Sequence, residues 1–153
     1  MKLEFPKALQ KRMRRDLGRA GRREIGGVLM AEQLAPGHFR LADFSLDSRT
    51  GEAAHFVRSV DEHYEALAKF YARTGSDFAR FNYLGEWHSH PNHVPLPSDV
   101  DVASMESLVR GERDIDFAVL IIVRKAWWRR MTCSATLFQR GRAAEPVELV
   151  PCS

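Results

Sequence analysis

The chain has 153 residues, 44% apolar and 28% charged, and its 23 lysines and arginines against 20 acids leave a net charge of +3. About 67 apolar residues suffice for one core without a disulfide or a structural metal, because a chain of this size buries roughly 70% of the surface its unfolded form exposes. The longest apolar run, Phe117 to Val123, is seven residues, against the roughly 20 of a spanning helix, and the N-terminus lacks an apolar block with a small-residue cleavage site. These features predict a single cytoplasmic domain over residues 1–153 with no membrane partner, and two reduced thiols, Cys133 and Cys152.

In chain order, Pro6 opens a helix whose apolar positions Leu9, Met13, Leu17 and Ala20 recur at helical spacing, so residues 1–20 read as an N-terminal amphipathic helix packed on the domain. Lys11, Arg12, Arg14, Arg15 and Arg19 surround that stripe. They read as a solvated basic face rather than a nucleic-acid contact, because no aromatic residues interleave the charges. The segments EIGGVLMAEQ and HFRLADFSLD, joined through Pro36-Gly37, read as a hairpin. Ser59 and Glu62 form a capping-box pattern, and Tyr64, Leu67, Ala68 and Tyr71 form the core stripe of a second helix that stops at Gly75. Phe81 to Trp87 is a short strand leading into His88-Ser89-His90-Pro91. A third helix starts at the N-cap Ser98, buries Val102, Met105 and Val109, and ends at Gly111. Ile115 to Val123 reads as a strand buried on both faces and as the centre of the sheet. Trp127 to Phe138 alternates as a further strand, and Val147 to Val150 is a last short one. The fold class is α/β, with a mixed central sheet flanked by helices.

His88 and His90 stand two apart at a strand end, so both imidazoles face one side and can converge on a metal ion. Asp101, one turn into the following helix, can complete a His, His, Asp set with a fourth position left for water, which is the arrangement of a catalytic rather than a structural zinc. A zinc-bound water needs a base to take its proton and pass it to a leaving amine. Glu24, just before Gly26 and Gly27, is one candidate. Glu86, two residues before His88, is the other, either as an acid or as a hydrogen-bond acceptor behind the histidines.

His88-Ser89-His90-Pro91 followed by Ser98 and Asp101, with Glu24 in a strand containing Gly-Gly upstream, resembles the JAMM motif of the MPN-domain (JAB) metalloproteases. The resemblance covers every motif position and implies a single MPN domain. It implies one zinc ion held by His88, His90, Asp101 and a catalytic water, with Glu24 as general acid/base and Ser98 as donor to the tetrahedral oxyanion. Such enzymes cut the amide or isopeptide bond after the C-terminal glycine of ubiquitin or a ubiquitin-like protein. The string Tyr83-Leu84-Gly85-Glu86-Trp87-His88 is similar to the bacterial Prok-JAB group. That likeness implies, as partners, a ubiquitin-like tail, its conjugates, and the activating and conjugating enzymes of antiphage ubiquitin-like or CBASS operons. The alternatives are processing of a sulfur-carrier protein and a non-catalytic MPN-like interaction module. A zinc deaminase would require Pro-Cys-x-x-Cys, which is absent.

Other readings are blander. Ser98 also suits a plain helix cap with Asp101 as its capping-box partner. Asp99 is off the motif spacing, and His93 is a loop contact or bystander. His38, His55 and His63 are surface or packing residues, Trp87 is core, and Trp127 and Trp128 include one exposed ring for a protein partner. A glycine-ended tail is expected to add to an exposed strand edge, beside a wall stiffened by Pro91, Pro95 and Pro97.

Overall fold

The structure, a computed structural model, describes residues 1–47, 60–111, 115–127 and 130–152. The Ser59–Glu62 capping box, His55 and Trp128 lie outside the residues whose side chains are described. The elements are β1 (Lys2–Pro6), α1 (Lys7–Ala20), β2 (Gly26–Ala35), β3 (His38–Phe44), α2 (Val60–Arg73), β4 (Phe81–Ser89), α3 (Asp99–Arg110), β5 (Phe117–Lys125), β6 (Met131–Gln139), β7 (Glu145–Pro146) and β8 (Glu148–Cys152). The strands form one sheet in the order β7-β6-β5-β4-β2-β3-β1-β8. The pairs β4–β5, β1–β3 and β1–β8 are parallel and the others antiparallel. No described helix is long and apolar enough to cross a membrane.

The two end strands are separated in the chain by Val147 alone, so the sheet must curl until its ends meet. The Val147 N–H donates to Ala135 of β6 and the Glu148 N–H to the Met1 carbonyl. Inside the curl, Leu3, Phe5, Leu41, Leu84, Trp87, Ile121 and Leu137 pack with Met13, Leu17 and Ala20 of α1. On the outer face, Met105 and Val109 of α3 cover Ala118, Leu120, Ile122 and Phe138. Phe70 of α2 packs on Val28 and Met30.

Four details differ from the sequence reading. Residues Lys2–Pro6 are a strand ahead of the helix, because their alternating burial places Leu3 and Phe5 in the core. On α2, Leu67 and Tyr71 of the expected stripe do pack around the buried Phe70, with His63 buried one turn earlier, but Tyr64 is 72% exposed and Ala68 is exposed. Periodicity alone does not choose between two adjacent stripes, and packing on β2 selects the one containing Phe70. The middle pair of the sheet is β4 and β2, with β5 one place away. Trp127 lies outside β6 and is 85% exposed.

Gly85 carries the feature that orients the site. The β2–β4 register slips beside it: Leu29 faces Gly85, whereas Met30 faces Tyr83. Leu84 and Trp87, three apart, therefore both point into the inner core. The offset turns the next residue, His88, to the outer face, because a one-residue slip inverts a strand's facing. Gly85 has φ +153°, and a Cβ there would fall 1.9 Å from the Val119 carbonyl oxygen. Gly85→Ala is expected to cost at least about 2 kcal/mol, lowering Tm by roughly 4–8 °C at this chain length. Gly18, in α1, meets nothing within 4 Å, so Gly18→Ala should raise stability by about 0.8–1 kcal/mol through helix propensity. Thermal unfolding of the two variants tests both signs.

Asp43 of β3 joins the helices to the sheet. Its Oδ1 accepts from Arg12 of α1 at 2.6 Å, and its Oδ2 from Arg73 of α2. Burial pushes the Asp43 carboxyl up, but the hydrogen bonds from Arg73, Arg12 and the Phe44 N–H together outweigh it and hold the carboxyl below the usual range. A depressed folded pKa stabilises above the unfolded value of about 3.9 and loses that stabilisation as pH falls through the folded value. Asp43→Asn should therefore lower Tm at pH 7, with the gap to the native chain closing below about pH 4; Tm against pH is the measurement.

Candidate metal centre

β4 is paired on both sides, to β2 and to β5, so its end is held from two directions. Trp87 points inward and its indole N–H donates to the Ser45 carbonyl at 2.9 Å. Gly27 makes room for this junction, since a Cβ there would lie 2.2 Å from the same carbonyl oxygen. His88 faces outward beside its β5 partner Ile122, on the side covered by α3. The His90 N–H continues the ladder by donating to the Val123 carbonyl at 2.9 Å.

His88 Nε2 and His90 Nε2 are 3.2 Å apart, and both rings are buried. Asp101 Oδ1 lies 3.1 Å from His88 Nε2, and Oδ2 lies 3.5 Å from His90 Nε2. The Nδ1 of His90 is 3.1 Å from the Val94 carbonyl oxygen. A carbonyl only accepts, so Nδ1 carries the proton and Nε2 presents a lone pair to the cluster. Among the described residues these three are the group whose donor atoms converge closely enough for a metal ion.

Asp101 is placed by the start of α3. The Ser98 Oγ accepts from the Asp101 N–H at 3.2 Å, and Asp101 Oδ2 accepts from the Ser98 N–H at 2.6 Å and from its hydroxyl at 2.7 Å. This reciprocal capping box fixes the carboxylate over the strand end. Burial pushes the Asp101 carboxyl up, but His88 and the two Ser98 donors prevail and hold it well below the usual carboxylate range. The site therefore contains a buried anion beside two imidazoles. Atoms sharing one tetrahedral zinc at about 2.0–2.1 Å stand about 3.3–3.4 Å from one another, close to the spacings found. Two nitrogens and a carboxylate oxygen are also a zinc donor set, so the residues fit the metal.

Glu24 lies two residues before β2, outside the strand in which the sequence reading placed it. The Ile25 N–H donates to Ser89 Oγ at 3.0 Å, and the Ile25 carbonyl accepts from the Ser89 N–H at 2.8 Å. Gly26 pairs with His88 as the last rung of the β2–β4 ladder, and the Ile25–Ser89 bonds hold the two chains together just beyond it. The Glu24 Oε2 is buried and has no hydrogen-bond partner. An orphaned buried carboxylate oxygen is costly, which makes it suited to a water or amine proton. Glu86 is half-buried on the same face of β4 and lines an outer groove of about 1110 Å³ between α2 and α3.

The remaining candidates lie elsewhere. Asp99 is exposed on the first turn of α3, and the exposed His93 only packs edge-on against His90 at 6.4 Å. His63 is buried against Ser45 Oγ at 3.2 Å, and His38 pairs with Glu4 at 2.9 Å. The Val94 carbonyl that orients His90, and the groove itself, carry no side-chain signature and were not legible as sequence.

The profile of Prok-JAB, described as prokaryotic homologs of the JAB domain, matches residues 6–134. A solution structure of a Desulfitobacterium hafniense protein superposes with a TM-score of 0.69 at 20% identity, covering 99% of this chain and 93% of that one. A crystal structure of a JAB1/MPN domain protein from Archaeoglobus fulgidus gives a TM-score of 0.51 at 15% identity, covering 97% and 98%. No curated protein matches the chain. At these identities the two structures establish a shared fold, and with the profile spanning most of its length the chain belongs to the Prok-JAB family of JAB/MPN domains.

Proposed function

We propose that the protein is a zinc-dependent peptidase or isopeptidase that hydrolyses the amide bond after the C-terminal glycine of a ubiquitin-like protein, in a bacterial antiphage conjugation system. The observation that carries the reading is the buried triangle of His88, His90 and Asp101 with edges of 3.1–3.5 Å. The orphaned Glu24 oxygen, on the segment leading into β2, supports it. Zinc, when bound, supplies a Lewis acid that polarises the scissile carbonyl and lowers the pKa of water to about 7.

The chain's own residues do the rest. Glu24 takes the proton of the attacking water and delivers it to the leaving amine, a task worth about 10²–10⁴ in rate. His90 is held in the metal-facing tautomer by Val94, and Asp101 is held by Ser98. The Ser98 hydroxyl donates to Asp101 in this state, so it must turn outward to donate to the oxyanion.

Over Gly85–Ser89, next to the histidines, β4 is paired on both sides, so a tail adding as a strand would have to use another edge. The tail is taken to lie on the outer face, in the groove bordered by Val28, Tyr71, Tyr83, Glu86 and Leu108. The antiphage setting and the ubiquitin-like substrate rest on the resemblance of Tyr83 to Pro91 to that branch of the family.

Glu24→Gln should keep one zinc per chain while cleavage of a ubiquitin-like C-terminal fusion falls by at least about 100-fold. Asp101→Asn should lose the zinc itself. Zinc content and turnover measured together test the pair: full turnover by Glu24→Gln, or full zinc in Asp101→Asn, overturns the assignment. Bound zinc in the native chain without cleavage of any such fusion would favour an interaction module.

Ser98→Ala separates two roles of one hydroxyl. Loss of the cap should cost about 1 kcal/mol in stability, and loss of the oxyanion donor a further 10²–10³-fold in kcat, on the order of oxyanion donors elsewhere. A drop in stability with unchanged kcat would leave Ser98 as a cap alone.

A further inference from the structure

We propose that the exposed face of α1 binds a nucleic-acid duplex through its phosphates, without reading its bases. The inference is independent of the peptidase reading. Lys7, Lys11, Arg15, Arg19 and Arg22 are all exposed, and four of them recur every fourth residue along one side of the helix. The opposite side, Met13, Leu17 and Ala20, is buried in the core. The only acid between Glu4 and Glu24 is Asp16; it is 7% exposed and lies 3.7 Å from Arg15 Nε, so it offsets that one cation in part and leaves the row net positive. Arg12, by contrast, is withdrawn from the row: it bonds to Asp43 and the Phe44 carbonyl and stacks over the Phe44 ring at 3.8 Å. Gly18 lies within the row with nothing within 4 Å, leaving the surface low and open to a broad partner.

The chemistry of the face selects its occupant. An amphipathic helix that binds lipid inserts its apolar side, and here that side is committed to the core. A protein partner draws its affinity from a desolvated aromatic or aliphatic anchor, and this face carries none among its exposed residues. A single strand is gripped by stacking on aromatic rings, which are likewise missing from it. A duplex backbone needs only cations. From Lys7 to Arg19 the helix rises about 18 Å, and a duplex carries one phosphate per strand for each roughly 3.4 Å of its axis, so the length of the row matches a backbone-lined groove edge.

The test is fluorescence anisotropy of the whole chain with a labelled 20-base-pair duplex, from 50 to 300 mM salt. One contact from each of the five exposed cations gives a slope of log K against log salt of about −4.5. Lys11→Glu, Arg15→Glu and Arg19→Glu combined should weaken binding at least tenfold and flatten the slope by about 3 units. A control with the same net-charge change, Lys69→Glu, Arg110→Glu and Arg142→Glu, should leave the slope unchanged, with Tm confirming that both variants are folded. No binding at 50 mM salt, or equal loss in both triple variants, overturns the proposal. Tighter binding of the single strand, or equal competition by polyglutamate, overturns the duplex as the occupant.

Discussion

Two imidazole nitrogens held 3.2 Å apart, with a carboxylate 3.1 and 3.5 Å away and all three side chains buried, are the constraint around which this molecule is arranged. A buried carboxylate needs positive charge beside it, and histidine lone pairs brought this close need something to share. The Val94 carbonyl removes one way out by keeping the His90 proton on Nδ1. A divalent cation satisfies both nitrogens and the acid at once, whereas a single proton satisfies one pair. The capping box of α3 and the doubly paired end of β4 prevent the three groups from relaxing apart.

The scaffold reaches that geometry through glycines placed where backbone or side chain must come close. At Gly85 the register slips, so that Leu84 and Trp87 both fill the inner core and His88 faces α3. Gly27 admits Ser45, whose carbonyl anchors the Trp87 indole and whose hydroxyl accepts the Val28 N–H at 2.9 Å. Core packing on one face of β4 and metal-site geometry on the other are thus consequences of one irregular strand. Any change that restored regular alternation through Gly85 would turn either Trp87 or His88 to the wrong face.

How much of this could be read from sequence depended on whether a side chain or the backbone carried the information. The His-x-His pair, Ser98 and Asp101 were legible because strand and helix periods fix which side chains share a face, and the cap at Ser98 has its own signature. The helices and most strands followed from hydrophobic period. Lys2–Pro6 did not, because five residues with two buried positions are too short a pattern, and its pairing with β3 and β8 is non-local. On α2 the period placed Leu67 and Tyr71 in the packed face but took Tyr64 and Ala68 where His63 and Phe70 are buried, because both sets satisfy the same period. The Val94 carbonyl, the bulge at Gly85 and the meeting of the sheet ends at Val147 are backbone facts with no residue type to announce them.

Topology then governs how anything approaches the site. A strand at a sheet edge would present free N–H and C=O groups to an extended peptide, but β4 spends its own on β2 and β5. The groove between α2 and α3, floored by Tyr83 and Glu86, lies on the outer face and stops short of His88, His90 and Asp101, none of which lines it. The stiff segment from Pro91 to Pro97 connects two of the three converging residues, so its conformation sets the spacing between His90 and Asp101. Its three prolines limit how far the spacing can yield, and the bond from His90 to Val94 ties the middle of the loop back to the ring it must hold still.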